Sequence, residues 1–236
     1  MIVAASSAPR LEETAGRGWW LRGWASAQVR AGITDRRLDL SHLVNDLRNS
    51  VNIVGAEQVH GGSIAIVGSA HGLTEPVAGC DALMTHLPGV ALLMRTADCL
   101  PIFFADPLRR VVGIAHAGWR GLAASLPARV IAAFRHAYQS RPGDLRVAIG
   151  PAIRACCYEV GPEFAGRFGP FVQERGGQRT CDLVGAAVDQ LRRCGVLADR
   201  VLDTKRCTAC EPQRWFSLRR EGPATGRLVS LIMLKR

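Results

Sequence analysis

The sequence predicts an α/β (α+β) fold: one domain, residues 1–236, with a mixed, largely buried β-sheet core sandwiched by helices in αββα-type layers. Three observations predict it. Short apolar runs separated by Gly, Pro and Asp follow one another from Val51 onward, which is the pattern of strands and turns. Those runs are apolar on both faces, as strands covered on both sides are. Between them stand segments with helical spacing, and a chain of 236 residues that is 48% hydrophobic can bury a substantial core.

Taken in order, "GWWLRGW" near the N-terminus reads as an edge strand or a docking segment. "DLSHLVNDLRNSV" has helical spacing, with Leu40, Leu43, Val44 and Leu47 on one face. "GGSIAIVG", "CDALMTH", "GVALLMRTA", "LPIFFAD" and "RVVGIAHAG" then read as strands. Arg120 to Tyr138 is helical, and Pro127 predicts that the helix starts or kinks there. "RVAIGPAI" is a further strand and turn. "CDLVGAAVDQLRRCG" is the clearest helix: Val184, Ala187, Val188 and Leu191 share a face, Asp182 suits its start and Gly195 its stop. "RWFSLRR" and "GRLVSLIMLKR" are strand-like.

Composition narrows the classes of function. Charged residues are 21% of the chain, too few for a long disordered chain. No run reaches the ~18 apolar residues of a membrane helix. "MIVAASSAPRLEETAG" lacks the basic start and long apolar stretch of a secretory signal, so a cytoplasmic protein is expected. The net charge is +10, which fits anionic small substrates or nucleic acid. The basic residues are scattered in pairs, without interleaved aromatics or a nucleic-acid-binding motif, which argues against nucleic acid. The eight cysteines read as reduced thiols, with Cys181 and Cys194 as packing residues.

Three residues carry the candidate chemistry. His60 precedes a Gly-Gly turn in "EQVHGG", Cys99 lies between two strands in "TADCLP", and His116 ends a strand in "IAHAGWRG". In "TADCLP", Pro101 is expected to interrupt strand pairing. Turns at strand ends are where sheet proteins place ligand-contacting groups. Two imidazoles and a thiolate are good ligands for Zn²⁺ and would leave a fourth position open. Spacing alone does not tie the three together, since a lone His or Cys in an apolar run also serves packing. Asp81 and Asp98 stand close in sequence, and either could orient a ligand imidazole. Cys207 and Cys210 form a C-x-x-C that reads as structural, with a second zinc site as the alternative. For Cys156 and Cys157 the choice is between packing and lining a pocket.

Six blocks resemble one family in order from Glu57 to Leu234: "QVHGGSIAIV", "CDALMTHLPGVALLMRTADCLPIFFAD", "VVGIAHAGWRGL", "IGPAIRACCYEVG", "KRCTACEPQRWFSLRREG" and "TGRLVSLIML". They resemble the laccase-domain family of bacterial polyphenol oxidases and purine nucleoside phosphorylases. Residues 1–50 match it poorly, and Leu218 stands where the family has an aromatic. The resemblance implies that His60, Cys99 and His116 are metal ligands for Zn²⁺, with Cu²⁺ allowed. It also implies phosphorolysis of adenosine, inosine and methylthioadenosine to base and sugar 1-phosphate, with deamination of adenosine. The expected partners are purine nucleosides and phosphate. Arg120, directly after "HAGW", is the candidate for the anion, or else a surface arginine at a helix start. Arg36, Arg37 and Arg48 are further candidates, and nothing separates them in sequence.

Three readings compete. A multicopper oxidase needs many histidines, and the chain has six with no H-x-H pair; a single His₂Cys copper is chemically allowed. A hydrolase with Cys99 as nucleophile and His116 as base is the second, with peptidoglycan precursors as substrates that the resemblance implies. A nucleic-acid binder is the third. The sequence says nothing of oligomeric state.

Overall fold

Alternation of side chains along each strand explains how runs with two apolar faces are used. The computed structural model describes residues 8–16, 18–44, 51–69 and 75–236. From the N-terminus, β1 (Arg10–Thr14), β2 (Gly18–Arg22) and β3 (Val29–Ile33) form an antiparallel meander. A short helix α1 (Leu40–Val44) and β4 (Asn52–Gly55) follow. Five strands come next: β5 (Ile64–Ile66), β6 (Ala82–Thr85), β7 (Val90–Thr96), β8 (Leu100–Asp106) and β9 (Val111–Ala117). Helices α2 (Trp119–Ala123) and α3 (Leu126–Tyr138) precede β10 (Arg146–Ile149). Helix α4 (Ala165–Phe168) leads to a hairpin of β11 (Val172–Arg175) and β12 (Gln178–Cys181), and then to α5 (Leu183–Arg193). Strand β13 (Val201–Asp203), helix α6 (Leu218–Glu221) and β14 (Leu228–Leu234) close the chain.

Two six-stranded mixed sheets result, ordered β1-β2-β3-β14-β7-β4 and β13-β10-β8-β9-β6-β5. Along β8, Leu100, Ile102 and Phe104 turn toward the helices, while Phe103 and Ala105 turn toward the other sheet. β9 repeats the pattern, with Val111 and Ala115 on the helix side and Val112 and Ile114 between the sheets. Leu122, Phe134 and Leu191 bring α2, α3 and α5 onto that helix side. The outer face of the first sheet carries Trp20, Ala91, Leu231 and Met233, against which Leu40 of α1 packs. The expected α+β layering is therefore present, with the two helical layers unequal among the described residues.

Several local expectations need correction. β2 is not an edge strand, because the polar segment "RLEET" pairs with it along its free side. Pro101 does not interrupt pairing: it lies inside β8 opposite His116, and its carbonyl accepts from Gly150 N at 2.9 Å. The helix read over Arg120–Tyr138 is two helices, broken at Ser125 (φ 57°), and Pro127 occupies the first turn of α3 where its missing N–H is not needed. "RWFSLRR" is no strand, because the Ser217 side chain accepts from Arg220 N and caps α6. "DLSHLVNDLRNSV" is helical over Leu40–Val44, and residues 45–50 lie outside the described residues.

Candidate metal centre

Strand ends and left-handed turns bring three distant residues together. His60 has φ 61° and Gln58 φ 64°, so the "QVHG" segment folds tightly back on itself. The Gln58 side chain fastens it to β7, accepting from Arg95 N at 2.8 Å and donating to Arg95 O at 2.7 Å. Cys99 follows Asp98, whose φ of 89° makes the sharp turn from β7 into β8. His116 is buried near the end of β9. Next to it, Gly118 leaves room for sulfur: a Cβ there would lie 2.8 Å from Cys99 Sγ.

One ligand atom from each of His60, Cys99 and His116 lies within 4.8 Å of the others. The two imidazole rings meet edge to face, with centroids 4.7 Å apart. Zn²⁺ bonds of about 2.0–2.3 Å set neighbouring ligand atoms up to about 3.8 Å apart, so this spacing suits a shared ion. Asp81 supplies the orientation that such a site requires. Its buried carboxylate meets His116 Nδ1 at 2.9 Å and accepts from His60 N at 2.9 Å and Gly61 N at 2.6 Å. That leaves His116 Nε2 for a ligand and fixes the ring against rotation. Asp98 does something different: it accepts from the Thr208 hydroxyl at 2.5 Å and from Arg219 N at 2.7 Å.

Electrostatics favour the charge state that a cation needs. Burial would raise the Cys99 thiol, but hydrogen bonds and charge from His116 and His60 outweigh it and bring the group down to about 7. Burial would lower His116, yet Asp81 and Cys99 raise it to about 9. Asp81 itself is held below the usual carboxylate range, because His116 and the Gly61 and His60 amides outweigh its burial. Carboxyl, imidazole and thiol thus stand in a row in which the charged form of each favours the charged form of its neighbour.

His60, Cys99 and His116 line a cavity of about 730 Å³. Its walls include Leu40, Ile53 and Leu93 and two arginines, Arg95 and Arg227, the latter donating from Nη1 to Thr225 O at 2.7 Å and Gly226 O at 3.0 Å. Nothing in the sequence singled these arginines out; only the folding of β7 and β14 around one opening groups them. Arg120 is exposed, stacks on the Trp119 ring at 4.6 Å, and is not among the residues lining this cavity. Arg37 pairs with Asp35 and Glu13, and Arg36 pairs with Glu221 over the Phe216 ring. Arg48 lies outside the described residues.

Residues 24–235 match the family model described as "Multi-copper polyphenol oxidoreductase laccase". The match begins well upstream of Glu57, where the recognisable blocks start. A purine nucleoside phosphorylase YlmD of Geobacillus stearothermophilus is 36% identical over 194 residues, 76% of this chain and 71% of that protein. A purine nucleoside phosphorylase of Aquifex aeolicus is 36% identical over 159 residues, 67% of this chain and 73% of the relative. The crystal structure of YlmD from Geobacillus stearothermophilus superposes with a TM-score of 0.83 at 32% identity, covering 97% of this chain and all of that one.

Proposed function

This chain belongs to the laccase-domain family, and from that membership we propose that it is a metal-dependent purine nucleoside phosphorylase. In this reading it cleaves adenosine, inosine and methylthioadenosine with phosphate to base and sugar 1-phosphate, and it deaminates adenosine to inosine with water. Zn²⁺ is the ion of choice, because a His₂Cys set with one position left over matches its catalytic sites. When bound, it supplies Lewis acidity at that open position. The eight cysteines, free of disulfides, suit a reducing compartment and hence the cytoplasm. No helix among the described residues is long and apolar enough to cross a membrane.

The chain's own groups divide the remaining work. Leu40, Ile53 and Leu93 offer an apolar wall against which a purine ring can lie. Arg95 and Arg227 line the same space and carry the charge that phosphate needs, and guanidinium forks bind phosphate oxygens in pairs. Arg120 is the third candidate, positioned by Trp119 rather than by the cavity. Asp81 fixes the His116 ring so that its free nitrogen points to one place.

One observation carries the reading: three ligand atoms within 4.8 Å of one another open onto a cavity that also presents two arginines. Purified protein given adenosine should yield adenine and ribose 1-phosphate with phosphate, and inosine and ammonia without it. His60→Ala, Cys99→Ala and His116→Ala should each lose at least ~10²-fold while remaining folded, the scale on which catalytic groups act. Arg95→Ala and Arg227→Ala should raise the KM for phosphate more than Arg120→Ala. Turnover in Cys99→Ala equal to the parent would overturn the reading.

A second reading has an observation of its own. Cys99 Sγ lies within 4.8 Å of a ring nitrogen of His116, whose ring Asp81 holds, the order of nucleophile, base and orienting group in a Cys–His hydrolase acting on peptidoglycan precursors. Chelators separate the two, since a thiol hydrolase keeps its activity without metal. Copper loading is the other control: a His₂Cys copper would colour the protein intensely, and zinc would not.

A further inference from the structure

A second set of metal-capable side chains stands apart from the cavity. The turn holding Cys156 and Cys157 meets the turn from Cys207 to Cys210, and the four sulfurs lie within 4.8 Å of one another. Cys156 Sγ is 3.7 Å from Cys207 Sγ and 3.5 Å from Cys210 Sγ, while Cys157 Sγ is 3.3 Å from Cys210 Sγ. A disulfide holds its sulfurs at about 2.05 Å, far closer than any of these. Zinc bonds of about 2.3 Å in a tetrahedron set sulfurs about 3.8 Å apart, close to the spacings here.

Backbone pairing builds this arrangement without help from the thiols. Ala152 and Cys207 form a parallel bridge, with Ala152 N donating to Arg206 O at 3.3 Å and Thr208 N to Ala152 O at 3.1 Å. Cys157 N closes the first turn on Arg154 O at 2.9 Å. Four thiols have only weak donors to offer each other, so a cation is the partner that satisfies all four at once.

We propose that Cys156, Cys157, Cys207 and Cys210 bind a zinc ion as four thiolates, in a closed structural site separate from the His60–Cys99–His116 centre. Each thiol gives its proton to solvent as the ion binds. Four soft donors and no carboxylate or imidazole select zinc over magnesium or calcium. With every position filled by protein, the site has no vacancy for substrate.

Its consequence reaches the first centre. Thr208, inside the C-x-x-C turn, donates to Asp98 Oδ1 at 2.5 Å, and Ile153 N donates to Asp98 O at 2.9 Å. Asp98 is the left-handed residue that turns the chain into Cys99. The four-thiolate site therefore clamps together the two turns that hold the Cys99 turn from behind.

Metal content and cobalt spectra test this directly. Protein purified under reductant, loaded with zinc and desalted should carry two zinc ions per chain. Cys99→Ser should keep one, held by the four cysteines, and Cys207→Ser/Cys210→Ser should keep the other. Cobalt added to Cys99→Ser should give the intense sulfur-to-cobalt charge-transfer absorption of a tetrathiolate, and Cys156→Ser on that background should weaken it. Should the double variant fail to fold, cobalt titration of the parent chain still decides: a break at two equivalents supports the site. A parent chain that binds cobalt without tetrathiolate absorption, or a Cys99→Ser protein that retains no zinc, overturns it. Neither arm depends on turnover, so failure of the proposed activity leaves this result standing on its own.

Discussion

His116 illustrates how one side chain is prepared for its task by its neighbours. Asp81 fixes the ring, and the ion-pair partners on both sides raise the group to about 9. Asp81→Asn removes the charge but keeps the shape, and loss of such an orienting carboxylate costs roughly 10–100-fold in metal affinity. Competition with a chromophoric chelator measures it, and an unchanged affinity would show that Asp81 is not the orienting group. The pH dependence has a definite sign. Raised from 6.5, His116 is protonated in the metal-free chain at neutral pH, and that form adds stability complete below 6.5 and lost as the pH passes about 9. Cys99, lowered from 9.0, supplies thiolate once the pH exceeds about 7. Zinc must displace the His116 proton, so affinity at this centre should climb from pH 6 and level off near pH 9. Calorimetry of Cys207→Ser/Cys210→Ser in buffers of different ionisation heat should detect proton release; its absence at pH 7 would contradict the charge assignment.

At the scale of elements, the site depends on a meeting of ends: the β7–β8 turn, the end of β9 and the start of α2. Gly118 at that meeting point has no space for a methyl group beside Cys99 Sγ. Gly118→Ala should therefore weaken zinc binding at the His60–Cys99–His116 group while leaving the circular dichroism spectrum of the parent unchanged. By contrast, Phe134→Ala in α3 removes a buried ring from the helix–sheet core, remote from the ligands. It should cost about 3–5 kcal/mol in denaturant unfolding with zinc content preserved. The short apolar strand runs and the Asp182 cap of α5 were legible because their signals lie within a few residues. "RWFSLRR" was not, since its apolar spacing resembles a strand and only the Ser217 cap, a single hydrogen bond, makes it a helix start. β1 was equally hidden: "RLEET" has no apolar face and is recruited by its neighbour.

Across the whole molecule, legibility falls with separation along the chain. His60, Cys99 and His116 were candidate ligands through the family resemblance rather than their spacing, and their convergence spans residues 60 to 116 with β8 paired to β9. The C-x-x-C at Cys207 left structural and zinc readings open because its neighbours Cys156 and Cys157 stand about fifty residues earlier, joined to it through a bridge between Ala152 and Cys207. Arg95 and Arg227 share a cavity only after β7 and β14 pair side by side. Ligand linkage applies at this scale too. Zinc at about 100 times its Kd should add about 2.7 kcal/mol per independent site to the metal-free chain, read as a rise in Tm. A Tm indifferent to zinc would mean that no ion binds the folded state in preference to the unfolded one. The most direct measurement is an anomalous-difference map at the zinc edge from crystals of the loaded protein. The account predicts a peak about 2.0–2.1 Å from a ring nitrogen of His60 and of His116 and about 2.3 Å from Cys99 Sγ, with one side open to the cavity. A map with no peak bridging those three residues would contradict it.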